Sequence, residues 1–84
     1  MAVSVTDKVS RIYTRKNGCY IRLENPDHVP KEGYFFLPSD TPNYNSLYSL
    51  AVVAAINRYP LLIRTVRDIT SSEHAAVEYL VLDW

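Results

Sequence analysis

The stretch "NYNSLYSLAVVAAINRYPLLIRT", residues 43–65, decides the fold. It opens with Asn43 and Asn45, short polar side chains suited to capping a helix start. From Asn43 to Asn57 it carries no charged residue. Pro60 stops a helix, because it has no amide hydrogen and its ring clashes with the preceding turn. The spacing predicts a helix ending at Asn57–Tyr59, followed by a strand from Leu61. Leu47, Leu50, Ala51 and Ala54 make one apolar face of that helix, expected on the core. Tyr48, Val52, Ile56 and Tyr59 make another. A chain of 84 residues builds one thin core. It can cover one of these faces, so the second is expected to meet a copy of the chain, with Tyr44, Tyr48, Val52, Ala55, Ile56 and Tyr59 as interface residues.

Working outward, "KVSRIYTR" is rich in strand formers and would alternate Val9, Arg11 and Tyr13 against Ser10, Ile12 and Thr14. Asn17-Gly18 reads as a two-residue type I′ hairpin turn, which needs positive φ at both central positions. Cys19–Leu23 is then the return strand. "GYFFLP" is a third strand closed by Pro38, "LLIRTVRDI" a fourth, and "AVEYLVLDW" a fifth. In the fifth, alternation sets Val77, Tyr79, Val81 and Asp83 against Glu78, Leu80, Leu82 and Trp84. The expected fold is a mainly β, α+β domain: a five-stranded OB-fold-like barrel in the order β-β-β-α-β-β. A small open α+β sheet under one helix is the alternative. Residues 1–84 form one domain, with 1–7 read as a flexible N-terminal segment.

Charge narrows the function classes. Nine basic and nine acidic residues give a formal net charge of zero, so overall charge draws the chain to neither nucleic acid nor anionic lipid. The charges are blocked along the chain, which suits pairing between subunits as well as ordinary solvated faces. A single cysteine, Cys19, excludes an intrachain disulfide. "MAVSVTDKVS" shows no apolar run or cleavage site, so a cytoplasmic chain is expected unless a leader was removed, in which case it is secreted. The longest uncharged run is too short for a bilayer span, and no membrane insertion is expected.

The segments "GYFFLP", "NYNSLYSLAVVAAINRYPLLIRT" and "AVEYLVLDW" together resemble a group of small bacterial OB-fold proteins, the B subunits of pentameric toxins of the subtilase-cytotoxin and pertussis-like kind. The resemblance covers roughly residues 8–84 and rests on a Leu/Ala-rich helix followed closely by a short strand. It implies a ring of five subunits whose helices line a central pore and whose strands pair edge to edge. It also implies glycan recognition and an enzymatic partner subunit. The chain is expected to depart from that pattern in having no leader; its single cysteine allows no intrachain disulfide, and no sugar-contacting motif is matched residue by residue.

Chemistry-bearing residues are few. Asp68, Ser71, Ser72, Glu73 and His74 contain the residue types of a nucleophile triad, but they are also ordinary turn formers. No Cys/His cluster has metal-ligand spacing, and Gly18 and Gly33, the only glycines, form no phosphate loop. Cys19 reads as a buried, inert thiol. No catalysis, metal or cofactor is expected. The long irregular segment "NPDHVPKEGYF" and the tip "TSSEH" are where a rigid scaffold would present recognition residues. Asn25, Asp27, His28, Lys31, Tyr34, Glu73 and His74 are the candidate ligand contacts. The expected function is a non-catalytic, ring-forming binding protein for a glycan or other small ligand. A single-stranded nucleic-acid module is the first alternative, with Arg11, Arg22 and Arg64 among Tyr13, Tyr20, Tyr34 and Phe35. A phage or mobile-element small-molecule sequestering or inhibitor protein is the second.

Overall fold

A computed structural model describes residues 4–24, 30, 33–69 and 74–82. Six strands and one helix follow each other as β1 (Ser4–Asp7), β2 (Val9–Arg15), β3 (Gly18–Leu23), β4 (Tyr34–Pro38), α1 (Tyr44–Asn57), β5 (Leu61–Thr65) and β6 (Ala75–Leu82). The strands form one mixed sheet in the order β1-β5-β6-β4-β3-β2. All neighbours are antiparallel except β4 and β6, which run parallel through Phe35↔Ala75 and Phe36↔Ala76. The chain is therefore α+β, but with six strands rather than five. The extra one is Ser4–Asp7, expected to be flexible; Val5, 1% exposed, anchors it, and it pairs with β5 from Ser4↔Arg64 to Asp7↔Leu61. The sheet is open: no ladder joins its edge strands β1 and β2 among the described residues, although only Lys8 separates them in sequence.

The inner face carries the core. Cys19, Ile21 and Leu23 of β3, Phe35 and Leu37 of β4, and Leu61 and Ile63 of β5 are at most 2% exposed, each set spaced two apart as a pleated strand requires. α1 packs against β2 and β6 and seats Ala51 and Ala54, both fully buried. Leu47 and Leu50 pack beside them at partial burial, so the expected core face of the helix is the inward one. Tyr44, Tyr48 and Ala55, expected at a subunit interface, also lean on the core.

Two bulges overturn the expected strand faces. An irregularity between Val9 and Arg11 pairs Val9 with Leu23 and Arg11 with Arg22. Val9 is thereby turned inward with Ile12, away from Arg11 and Tyr13, because one extra residue flips every side chain beyond it. A second irregularity pairs Arg64 with Tyr79 but Thr65 with Val77, leaving Glu78 as the extra residue. Val77 and Leu80 both end inside, while Glu78 and Tyr79 both face solvent. The fourth expected strand also ends earlier. β5 stops at Thr65, and Thr70, Ser71, Ser72, Asp83 and Trp84 lie outside the described residues.

Both helix ends use backbone conformation where side-chain chemistry was expected, and the hairpin turn is not the expected one. Asn43 is the N-cap residue, but it sits in the left-handed region (φ 64°) and makes no side-chain cap bond; Asn45 lies inside the helix. Arg58 ends the helix in the same region (φ 58°), and Tyr59 N–H donates to the Ala54 carbonyl at 3.0 Å. Pro60 lies beyond that stop rather than causing it. The hairpin turn is Lys16-Asn17, since Arg15 pairs with Gly18. Asn17 has no positive φ, which excludes the expected type I′ turn. Gly18 instead supplies the unusual backbone (φ 154°), and a Cβ there would lie 2.3 Å from the Leu37 carbonyl oxygen. Gly18→Ala is expected to cost roughly 2 kcal/mol or more. Thermal denaturation would show this as a midpoint lowered by roughly 8 °C or more; an unchanged midpoint would contradict the close approach to β4.

Candidate functional site

The outward face of β2, β3 and β4 collects rings and cations. Past the first bulge, Arg11, Tyr13 and Arg15 of β2 project on the side opposite Ile12. Tyr20 and Arg22 stand beside them on β3, then Tyr34 and Phe36 on β4. Tyr13 stacks on Tyr20 with centroids 4.9 Å apart and planes 9° from parallel. Tyr34 meets Tyr13 edge-on at 5.1 Å, and Phe36 lies 4.9 Å from Tyr20. His74, just before β6, approaches Tyr20 at 5.3 Å and Tyr34 at 6.3 Å. Tyr20 and Tyr34, 8% and 9% exposed, form the floor; Tyr13, Phe36 and His74 are half-buried around them.

Three exposed arginines engage these rings. Arg15 sits 5.7 Å above Tyr13 and 6.0 Å above Tyr20. Arg22 sits 6.0 Å above Tyr34, and Arg11 Nη1 donates to the Tyr34 hydroxyl at 3.3 Å. That hydrogen bond, with the field of the same hydroxyl, raises the Arg11 pKa above its ordinary value. Arg11 and Arg22 are direct cross-strand partners, a like-charge placement that costs stability unless something anionic sits between them. The ion pairs among the described residues engage other arginines, Arg58 with Glu24 and Arg64 with Glu78.

A second surface lies along the free edge of β2. A groove of about 430 Å³ runs between that strand, from Val9 to Thr14, and Tyr48, Val52, Ala55 and Ile56 of α1. Arg58 closes one end, with Nη1 donating to the Val9 carbonyl at 3.0 Å and Nη2 paired with Glu24. Ile56 is 75% exposed and Val53 45%. Tyr44 stacks parallel to Tyr48 at 6.3 Å, one helical turn apart, and partial burial raises its pKa, with smaller contributions from Cys19 and Tyr48.

Of the candidate ligand contacts, the structure brings Tyr34 and His74 together. Asn25, Asp27, His28, Lys31 and Glu73 lie outside the described residues. Of the residues weighed for nucleic acid, Arg11, Arg22, Tyr13, Tyr20 and Tyr34 share the one face. Phe35 does not, being 0% exposed in the core, and Phe36 takes its place. Arg64 lies on β5, two strands from β4, paired with Glu78. Arg15, part of the basic block but not of the residues weighed for nucleic acid, also belongs to this face; its i+2 and i+4 spacing from Tyr13 and Arg11 was the available signal.

Among the interface candidates, Val52, Ala55, Ile56 and Tyr48 border the groove, while Tyr44 and Tyr59 are half-buried outside its lining. No helix among the described residues is long and apolar enough to cross a membrane. No protein-family model, curated protein or solved structure matches the chain.

Cys19 is fully buried on the inner face of β3, and desolvation pushes its thiol from 9.0 to about 11. The folded form thus holds the proton where the unfolded form loses it. Stability is undiminished below pH 9.0 and is expected to fall as pH rises from there toward about 11. Near neutral pH, iodoacetamide is expected to leave native Cys19 unmodified and to label it on addition of guanidinium, read by intact mass. Rapid labelling of the native chain would contradict the burial.

Proposed function

We propose that the chain is a non-catalytic binding protein that closes as an OB-type barrel and assembles into a ring of its own copies through α1. A pentamer is the ring expected from its resemblance to toxin B subunits. The outer face of β2, β3 and β4 is its ligand surface. The observation that carries this reading is the second apolar face of α1. Ile56 is three-quarters exposed and Val53 nearly half, and Tyr48 and Val52 join Ile56 along the groove. An isolated domain gains nothing from such residues, whereas a neighbouring copy removes them from water at about 25 cal/mol per Å².

Two features support the barrel. β1 and β2 hold opposite ends of the strand order yet are one residue apart. Counted as one strand bent at Lys8, they restore five strands, with the first touching both ends of the sheet, which is how an OB barrel closes. Against catalysis stand the buried, proton-holding Cys19 thiol and the packing of His74 against two tyrosine rings. A single buried cysteine, with no intrachain disulfide to form, suits the cytoplasm.

Light scattering coupled to size exclusion tests the assembly. The mass is expected to be several times the protomer's 9.6 kDa. Ile56→Glu or Val52→Glu is expected to reduce it to that of the protomer while leaving the circular dichroism spectrum unchanged. A clean monomer of the unaltered chain at micromolar concentration would overturn the reading.

A further inference from the structure

We infer that the outer face of β2, β3 and β4 takes single-stranded nucleic acid, with bases stacked on its rings and phosphates on Arg11, Arg15 and Arg22. This deepens the binding reading above and does not require the ring.

The local charge is the first argument. The hairpin from Val9 to Leu23, "VSRIYTRKNGCYIRL", holds Arg11, Arg15, Lys16 and Arg22 and no acidic residue, although the whole chain is neutral. β4, "YFFLP", adds none. Arg11 and Arg22 oppose each other across the two strands and converge on Tyr34. An anion between them offsets their repulsion and accepts from both.

The second argument is donor and acceptor type. Guanidinium groups only donate. A neutral sugar presents hydroxyls that must both donate and accept, and the outward strand positions offer no carboxylate and few acceptors besides tyrosine hydroxyls. A phosphate only accepts, so it matches the three arginines.

The third is the flat apolar surface between the cations. Tyr13, Phe36 and His74 are half-buried rings set around a tyrosine floor. Such rings stack bases without regard to sequence. Arg15 covers Tyr13 and Tyr20, so a base replaces it on the ring while its guanidinium moves to a phosphate. Arg11 and Arg15, four residues apart on one strand face, span about 13 Å. That reach exceeds a single phosphate group and favours a strand over a mononucleotide.

Fluorescence anisotropy with labelled oligo-dT and oligo-U, against the full chain, tests this. Binding is expected at low salt, weakening about 100-fold for a tenfold rise in salt if three phosphates are held. Arg15→Gln and Arg22→Gln are each expected to flatten that salt dependence. Tyr13→Ala is expected to weaken binding at least about fivefold, the lower bound for one stacked base. Arg64→Gln, on the other half of the sheet, is expected to change nothing. AMP competing only weakly identifies a strand as the ligand; AMP competing as well as the oligonucleotide identifies a free nucleotide and overturns the strand. Polyphosphate binding as tightly as the oligonucleotide overturns the stacking. Absence of oligonucleotide binding at low salt, or binding indifferent to both arginine variants, overturns the whole inference. Mass measured on the same samples keeps the two readings apart: a ring that binds no oligonucleotide refutes this inference alone, and a monomer that binds refutes the ring alone.

Discussion

The fold depends on how closely α1 approaches the sheet. Ala51 and Ala54 have no exposed surface, and their single methyl groups let the helix backbone come down onto β2 and β6. A larger side chain at either position would force the helix outward or strain its neighbours, since interiors are packed to crystal density. Tyr44, Leu47, Tyr48, Leu50 and Ala55 then pack around the alanine seat at partial burial. The helix end is held by the same approach: Arg58, in its left-handed conformation, reaches the Val9 carbonyl and Glu24. With the seat so narrow, the described residues leave part of the helix circumference uncovered. Val53 and Ile56 are exposed because of the packing that fixes the fold.

Most elements were legible from residue type. β-branched and aromatic runs placed five strands, and Pro60 with the uncharged run placed the helix. Face assignments failed at two points for one reason. A bulge is a backbone event of a single residue, and neither Ser10 nor Glu78 announces it by type. Yet each shifts the alternation, turning Val9 and Leu80 to the same side as Ile12 and Val77. β1 was missed because four residues, "SVTD", are too few to show a period. Its stability comes from Val5 and from its register with β5, both non-local. The hairpin slipped by one residue because Asn17-Gly18 satisfies a two-residue turn locally, while Gly18 is needed where β3 crosses close to Leu37.

The aromatic face was half legible for a related reason. Individual arginines and tyrosines were visible, but the sheet order decides which of them meet. Phe35 and Phe36 are adjacent and chemically identical, and the pleat sends the first to the core and the second to the outer face. The hairpin's basic excess was visible as one of the charge blocks along the chain, but the neutral total weighed against a basic groove. Net charge constrains solubility and long-range steering, whereas a recognition surface is set by charges within about one Debye length, roughly 8–10 Å.

β2 ties the two surfaces together. Its inner and edge atoms border the groove under α1, and Arg11 and Tyr13 contribute to both that groove and the outer face. A neighbour docked on the β2 edge would therefore hold Arg11 and Tyr13 in place, lowering the entropy lost when a ligand orders them. It would also repeat the ligand face around the assembly, so that sites too weak to hold one or two nucleotides act together on a longer strand through effective concentration. Small individual sites and an assembling helix would then be parts of one arrangement. An 84-residue chain has little surface to spare, and placing both proposed functions on a single edge strand would let assembly strengthen binding.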